Sequence, residues 1–293
     1  MIRLRVSHLT RYDYTDAVSL CHSIVHLKPR QCPHQRCLSS TLRISPGPAV
    51  NREHEDFFSN RVNYFSIQQS HNVLEVTAVS EVEVSAPSLP EAAETPAWEV
   101  ARDCLHQRRK PAMNAALVFT LASPLVPLNV AAREYAALSF TRGRPILEAA
   151  DDFMARIFHE FAYDPQFSSI STPVAEVMAH RRGVCQDFAH LAIAGLRGLG
   201  LAARYVSGYL ETLPPPGQVK LQGSDASHAW FSLLIPDLGW VDFDPTNNLI
   251  PGEQHITTAV GRDYQDVTPM RGIFYGGGAH DLTVAVDVNR VLE

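Results

Sequence analysis

The sequence predicts an α+β fold in which strands come first, helices follow, and an antiparallel sheet closes the order. Three observations predict it. Residues 1–85 alternate apolar and polar residues in short runs, residues from about 97 to 200 space their apolar positions by three and four, and alternation returns from 202. No internal repeat is present.

In the first region the runs are "VSHLTRYDY", "CHSIVHLKPR", "CLSSTLRISP", "NRVNYFSIQQ" and "LEVTAVSEVEVSA", separated by Pro, Gly and Asn breakers. The last is clearest, with Leu74, Val76 and Ala78 and then Val82 and Val84 on one face. A small antiparallel β-sandwich over 1–87 is expected, with "APSLPEAAETPAW" leading into a second unit, 88–293. There, "PLNVAAREYAALSF" and "PILEAADDFMARIFHEF" open on prolines, which suit a first helical turn. Phe153, Ile157 and Phe161, widened by Met154 and Phe158, form an apolar stripe. A further helix is expected over 185–199, with stripe Phe188, Leu191, Gly195, Leu199 and Gly200 as its stop. Strands return as "AARYVSGYL", "HAWFSLLI", "GWVDFD" and "HDLTVAVDV".

Composition narrows the function classes. Of 293 residues 45% are hydrophobic and 19% charged, as in an ordinary globular protein. A net charge of −6 with no strongly basic half argues against a nucleic-acid surface. The densest basic run, "RDCLHQRRK", reads as a solvated helix face. No stretch approaches the roughly 18 uninterrupted apolar residues of a membrane span. The N-terminus alternates like a strand and lacks the apolar core of a signal peptide. Five scattered cysteines do not suit a disulfide framework, so a reducing cytoplasm is expected.

One cysteine stands apart. In "HRRGVCQDFAH", Cys185 follows a glycine turn and opens the helix, where free N–H groups and the positive helix end favour a thiolate. The same amides suit an oxyanion. A buried structural thiol is the alternative. A nucleophile needs a base and a group to orient it. His228 lies at the mouth of one alternating strand, and Asp244 ends the next strand before Pro245. Were His228 opposite Asp244, Trp230 would face Asp242, Ser232 would face Trp240, and 233–239 would form the loop. Asp242 has the same parity and stays open as the partner of His228. Asp187 favours the helix dipole, Gln186 has no derivable role, and Tyr205 and Tyr209 share one strand face.

"GVCQDFAH", "ARYVSGYL", "HAW" and "WVDFDPT", in that order, resemble the bacterial transglutaminase-like superfamily. "HLTRYDYTDAVSLCHSIVHLKPR" resembles the β-domain preceding its core in one bacterial branch, so the likeness spans nearly the whole chain. The resemblance implies a papain-like, transglutaminase-like core with helices packed on an antiparallel sheet. It also implies a Cys-His-Asp site with Cys185 as nucleophile, His228 as base and Asp244 orienting the imidazole. The expected function is attack on the amide carbonyl of a peptide or protein substrate through a thioester, resolved by water or alternatively by an amine. No cofactor, metal, nucleic acid or membrane partner is expected, and calcium would need a dense acidic loop that is not seen. Oligomeric state is not legible. Two rival readings stand beside it: structural zinc on Cys21, His22, His26, Cys32, His34 and Cys37, and a non-catalytic binding scaffold. The zinc ligand types are right, but alternation scatters them over two faces.

Overall fold

The computed structural model describes residues 1–107, 111–212 and 226–291. The chain opens on β1 (Ile2–Val25), β2 (Gln35–Ser45), β3 (Val50–Glu55), β4 (Arg61–Ile67) and β5 (His71–Val84). Helices follow as α1 (Trp98–His106), α2 (Pro111–Ala116), α3 (Val130–Ala137) and α4 (Ile146–Glu160). After β6 (Ala162–Tyr163) come α5 (Val174–His180), β7 (Arg182–Gly183), α6 (Cys185–Gly198), β8 (Ala203–Leu210), β9 (Ala226–Ile235) and β10 (Gly239–Phe243). The chain ends with β11 (His255–Gly261), α7 (Tyr264–Val267), β12 (Met270–Gly276) and β13 (His280–Arg290). No described helix is long and apolar enough to cross a membrane.

Two sheets make the layers. Among the described residues, seven strands form one sheet and β10-β9-β8-β11 form another. Strand β1 organises the first: its N-terminal half lies between β5 and β13, its C-terminal half between β4 and β12. "VSHLTRYDY" and the first half of "CHSIVHLKPR" are therefore one long strand that ends at Val25, irregular between Asp13 and Val18. The sheet begun by β1 also draws strands from beyond the 87/88 boundary, because β12 and β13 return to it. Their apolar faces complete that sheet: Val286 and Val288 are buried with Leu4, Val6, Val82 and Val84.

The two sheets pack face to face through this cluster, which also takes Tyr209 and Ile256 from β8 and β11. Two buried amides clip β11 to the larger sheet. Gln35 exchanges hydrogen bonds with the backbone of Thr257 (2.8 Å each way), and Asn60 does the same with Val260 (2.8 and 2.9 Å). These side chains satisfy backbone groups that an edge strand would otherwise leave open.

Helix α6 is the centre of the second core, buried from Asp187 to Arg197. It packs on α3, α4 and α5 and on the Tyr205–Phe231 face of the small sheet. A helix covered all round carries apolar residues on every face, here with Asp187, His190 and Arg197 buried among them, which a one-sided stripe understates. On α4, Phe153, Met154 and Ile157 are buried as expected, whereas Phe158 is exposed. Helix α3 starts at Val130 rather than near Pro127, because the Asn129 side chain accepts from Ala132 N and caps it. The basic run 102–110 ends outside the described residues; its described part lies on α1 and the residue after it.

Candidate active site

The short parallel pair β6–β7 sets Tyr163 against Gly183 and delivers the chain to α6. Val184 is extended (φ −117°, ψ −179°), and α6 begins at Cys185, as the sequence predicts. The Asp187 carboxylate folds back to accept from the Val184 N–H at 2.8 Å. Gly183 makes room for it, since a Cβ there would sit 2.7 Å from the Asp187 Cβ. Burial pushes the Asp187 carboxyl up, against hydrogen bonds from Ser168 and Val184. So Asp187 ties down the turn before the nucleophile candidate, a more specific task than favouring a dipole. Gln186 donates to Ile170 O at 2.9 Å and fastens the preceding loop.

Strands β9 and β10 supply the other two residues. The parity expectation holds but the register differs by two: Asp242 pairs with Ser232 and Phe243 with Phe231. The turn is three residues long, Pro236 to Leu238, with Asp237 and Gly239 at positive φ (64° and 82°). His228 therefore reaches Asp244 diagonally rather than directly. A shift of two keeps every side chain on its face, so the partnership survives. His228 Nε2 donates to Asp244 Oδ2 at 2.7 Å. Asp242 accepts instead from Trp230 Nε1 at 3.0 Å.

Asp244 is fully buried and saturated with donors. Oδ1 accepts from the Thr246 and Asn247 backbone (2.9 and 3.3 Å), while Oδ2 also takes Asn247 Nδ2 (2.7 Å) and His255 Nε2 (3.1 Å). Burial opposes ionisation, yet His228, His255 and Asn247 together hold this carboxyl well below the usual carboxylate range. Burial likewise opposes charging His228, but Asp244 and Cys185 outweigh it and push the imidazole up. With Nε2 on Asp244, Nδ1 is the ring nitrogen left to the thiol.

His255 is the residue that sequence reasoning missed. It sits on β11, with β8 and β9 between its strand and β10, which Asp244 follows directly. Gly208 on β8 opens the route: a Cβ there would lie 2.1 Å from Ile256 O and 2.6 Å from Trp230 Cη2. The bare strand lets the indole lie over it, with His255 edge-on to that ring at 5.3 Å.

Cys185 and His228 line one cavity of about 290 Å³. Tyr205 lines it too, whereas Tyr209 is buried and hydrogen-bonds His8 at 3.1 Å, so the two tyrosines part company. The six zinc candidates do not gather. Cys21 is buried beside Ser23, His22 meets Tyr64, and His26 meets Thr268 O. Among the described residues the one metal-competent group is His228, Asp244 and His255, whose ligand atoms lie within 4.8 Å of one another. Its donors suit a zinc-like ion, but here they share protons on one carboxylate oxygen.

Comparison with known proteins bears on the family and the fold. Residues 4–83 match the bacterial transglutaminase-like N-terminal region, and residues 135–245 match the transglutaminase-like superfamily. An uncharacterized protein of Mycobacterium tuberculosis is 42% identical over 294 residues, covering 98% of this chain and 92% of that one. A protein-glutamine gamma-glutamyltransferase of Pseudomonas aeruginosa is 33% identical over 102 residues, 33% of this chain and 15% of that protein. A solved structure of a candidate cysteine protease from Cytophaga hutchinsonii shares the fold, with a TM-score of 0.75 at 18% identity over 100% of this chain and 91% of that one. An opening strand region of one type joined to a core of the other places the chain by both halves: it belongs to the transglutaminase-like superfamily.

Proposed function

We propose that the protein is a cysteine enzyme that attacks amide carbonyls of peptides and passes the acyl group to water. The observation that carries this reading is the single cavity shared by Cys185 and His228, with His228 hydrogen-bonded to Asp244 at 2.7 Å.

In this reading His228 takes the thiol proton at Nδ1, and the Cys185 sulfur attacks the carbonyl carbon. Backbone N–H groups at the start of α6 face the developing oxyanion. The C–N bond breaks as the imidazolium returns its proton to the departing amine, leaving a thioester on Cys185. Water, deprotonated by the same imidazole, adds to the thioester and expels the thiolate with the acid. Asp244 holds the ring in its tautomer and offsets its positive charge throughout. Cys185 is half-buried rather than enclosed, so water has access to the thioester.

Transfer to an amine is the second reading, favoured by the likeness to the glutamine gamma-glutamyltransferase over 102 residues. The test is mass spectrometry of the enzyme and products after exposure to glutamine-containing and general peptide libraries, with and without a primary amine. Hydrolysed product and an acyl adduct on Cys185 are expected, both lost in Cys185→Ala. Amine-linked product in place of acid would select the second reading. No adduct on any peptide would refute both.

A further inference from the structure

The cavity beside Cys185 has a wall that comes from the other sheet. Strands β1 and β13 pair Tyr12 with Leu282, Thr10 with Val284, His8 with Val286 and Val6 with Val288. Opposed residues share a face, so these pairs form one continuous stripe. Half of it is core, since Val6, His8, Val286 and Val288 are buried. The other half emerges: Leu282 is 54% exposed and Val284 50% exposed, and both line the cavity with Thr10 and Tyr12. A strand face turned to water ordinarily becomes polar. This one stays apolar at the point where it meets Cys185 and His228.

Among the described residues the lining holds no Asp, Glu, Lys or Arg side chain, and its one charged group is the His228 imidazole with its Cys185 partner. The one imidazole besides His228 is His8, which burial lowers to about 4 and so keeps neutral. At about 290 Å³ the space is near the small end of ligand pockets, fit for one large side chain with its amide.

We propose that Tyr12, Leu282 and Val284 form the specificity wall of the site, receiving an uncharged, apolar side chain next to the reacting amide and rejecting a charged one. The inference rests on the reading of Cys185 as nucleophile and adds the substrate class. A charged side chain laid on this wall would shed water against Leu282 and Val284, where no described side chain offers an opposite charge, whereas an apolar one would cover them.

Peptidyl chloromethyl ketones carrying Leu, Phe, Glu or Lys beside the reactive group test this. Labelling of Cys185 is followed by intact-mass and peptide mass spectrometry, and each rate is divided by the iodoacetamide rate of the same protein. Leu and Phe reagents should outpace Glu and Lys by roughly tenfold or more, the discrimination that one apolar contact commands. Leu282→Asp should remove that preference and favour the Lys reagent. Because Leu282 is more than half exposed, this variant keeps its core, and Val284→Asp provides a second reading at the neighbouring position. Equal rates for all four reagents in the wild type, or a preference that survives both variants, would overturn the wall. If iodoacetamide itself shows no preference for Cys185 over the other four cysteines, the nucleophile reading fails and the wall's role with it.

Discussion

Replacing Gly208 with Ala should damage the site from a residue that carries no functional group. The added Cβ would lie 2.1 Å from Ile256 O, 3.0 Å from Ile256 C and 2.6 Å from Trp230 Cη2. Carbon atoms settle about 3.5–4.0 Å apart, so the indole tip must retreat by about 1 Å and β11 must also move away as a strand. Neither movement is local. Trp230 holds Asp242 at 3.0 Å and lies against both His228 and His255, while β11 carries His255 to Asp244. Overpacking of this kind costs about 1–3 kcal/mol, and displacement near 1 Å at a reacting group costs about 100-fold in rate. Urea unfolding and the iodoacetamide rate at Cys185 read the two effects separately. Gly47→Ala is the control, since nothing lies within 4 Å of its Cβ position. If Gly208→Ala matched that control in both measurements, the reach of His255 across a bare strand would not be what holds the site.

Asp244→Asn should lower kcat/KM far more than Asp242→Asn, because His228 bonds the first and Trp230 the second; a larger loss at Asp242 would reverse the roles. His255→Phe removes one charge-assisted donor from Asp244, worth about 1.5–3 kcal/mol, and should raise the pH at which the Asp244 carboxyl titrates, read by NMR; an unchanged titration would refute its part in holding Asp244. At a pH well below the ordinary thiol range, iodoacetamide should label Cys185 faster than Cys21, Cys32, Cys37 and Cys104. His228→Ala should remove most of that excess, and selectivity surviving the change would count against the pairing. Stability should also fall in mild acid. Burial lowers both His8 and His190 to about 4, from 6.5 when unfolded. Their contribution is therefore complete above about pH 6.5 and is lost as pH drops toward 4, up to about 3 kcal/mol each. His228, shifted the other way, is protonated in both states across that window and drops out. A urea midpoint flat between those pH values would contradict the assignment.

Much of this arrangement is legible in the sequence, and its gaps have physical causes. The start of α6 at Cys185 follows from local turn and helix chemistry, which neighbours in sequence decide. The His228–Asp244 partnership follows from parity, which tolerates a slip of two. The register itself does not, because it depends on whether Asp237 and Gly239 close a three-residue turn. His255 stays hidden because β11 is buried along its whole length, so "HITTAVG" shows no alternation to mark a strand. The fate of β12 and β13 is hidden for another reason. Their strand character is local, but their partner β1 lies at the far end of the chain.

On the proposed reading of Cys185 and its wall, that distant pairing bears on when the protein becomes selective. A chain synthesised through Asp244 already contains Cys185, His228 and Asp244, yet it still lacks Leu282 and Val284. Contacts between residues so far apart in sequence form late, since the intervening chain must be ordered before they can close. Until β13 docks, β1 has an open flank and the cavity has one side missing. Reactivity and discrimination are thus encoded in different stretches and arrive at different times. A folding intermediate with the core formed and β13 undocked would accept substrates that the finished protein turns away.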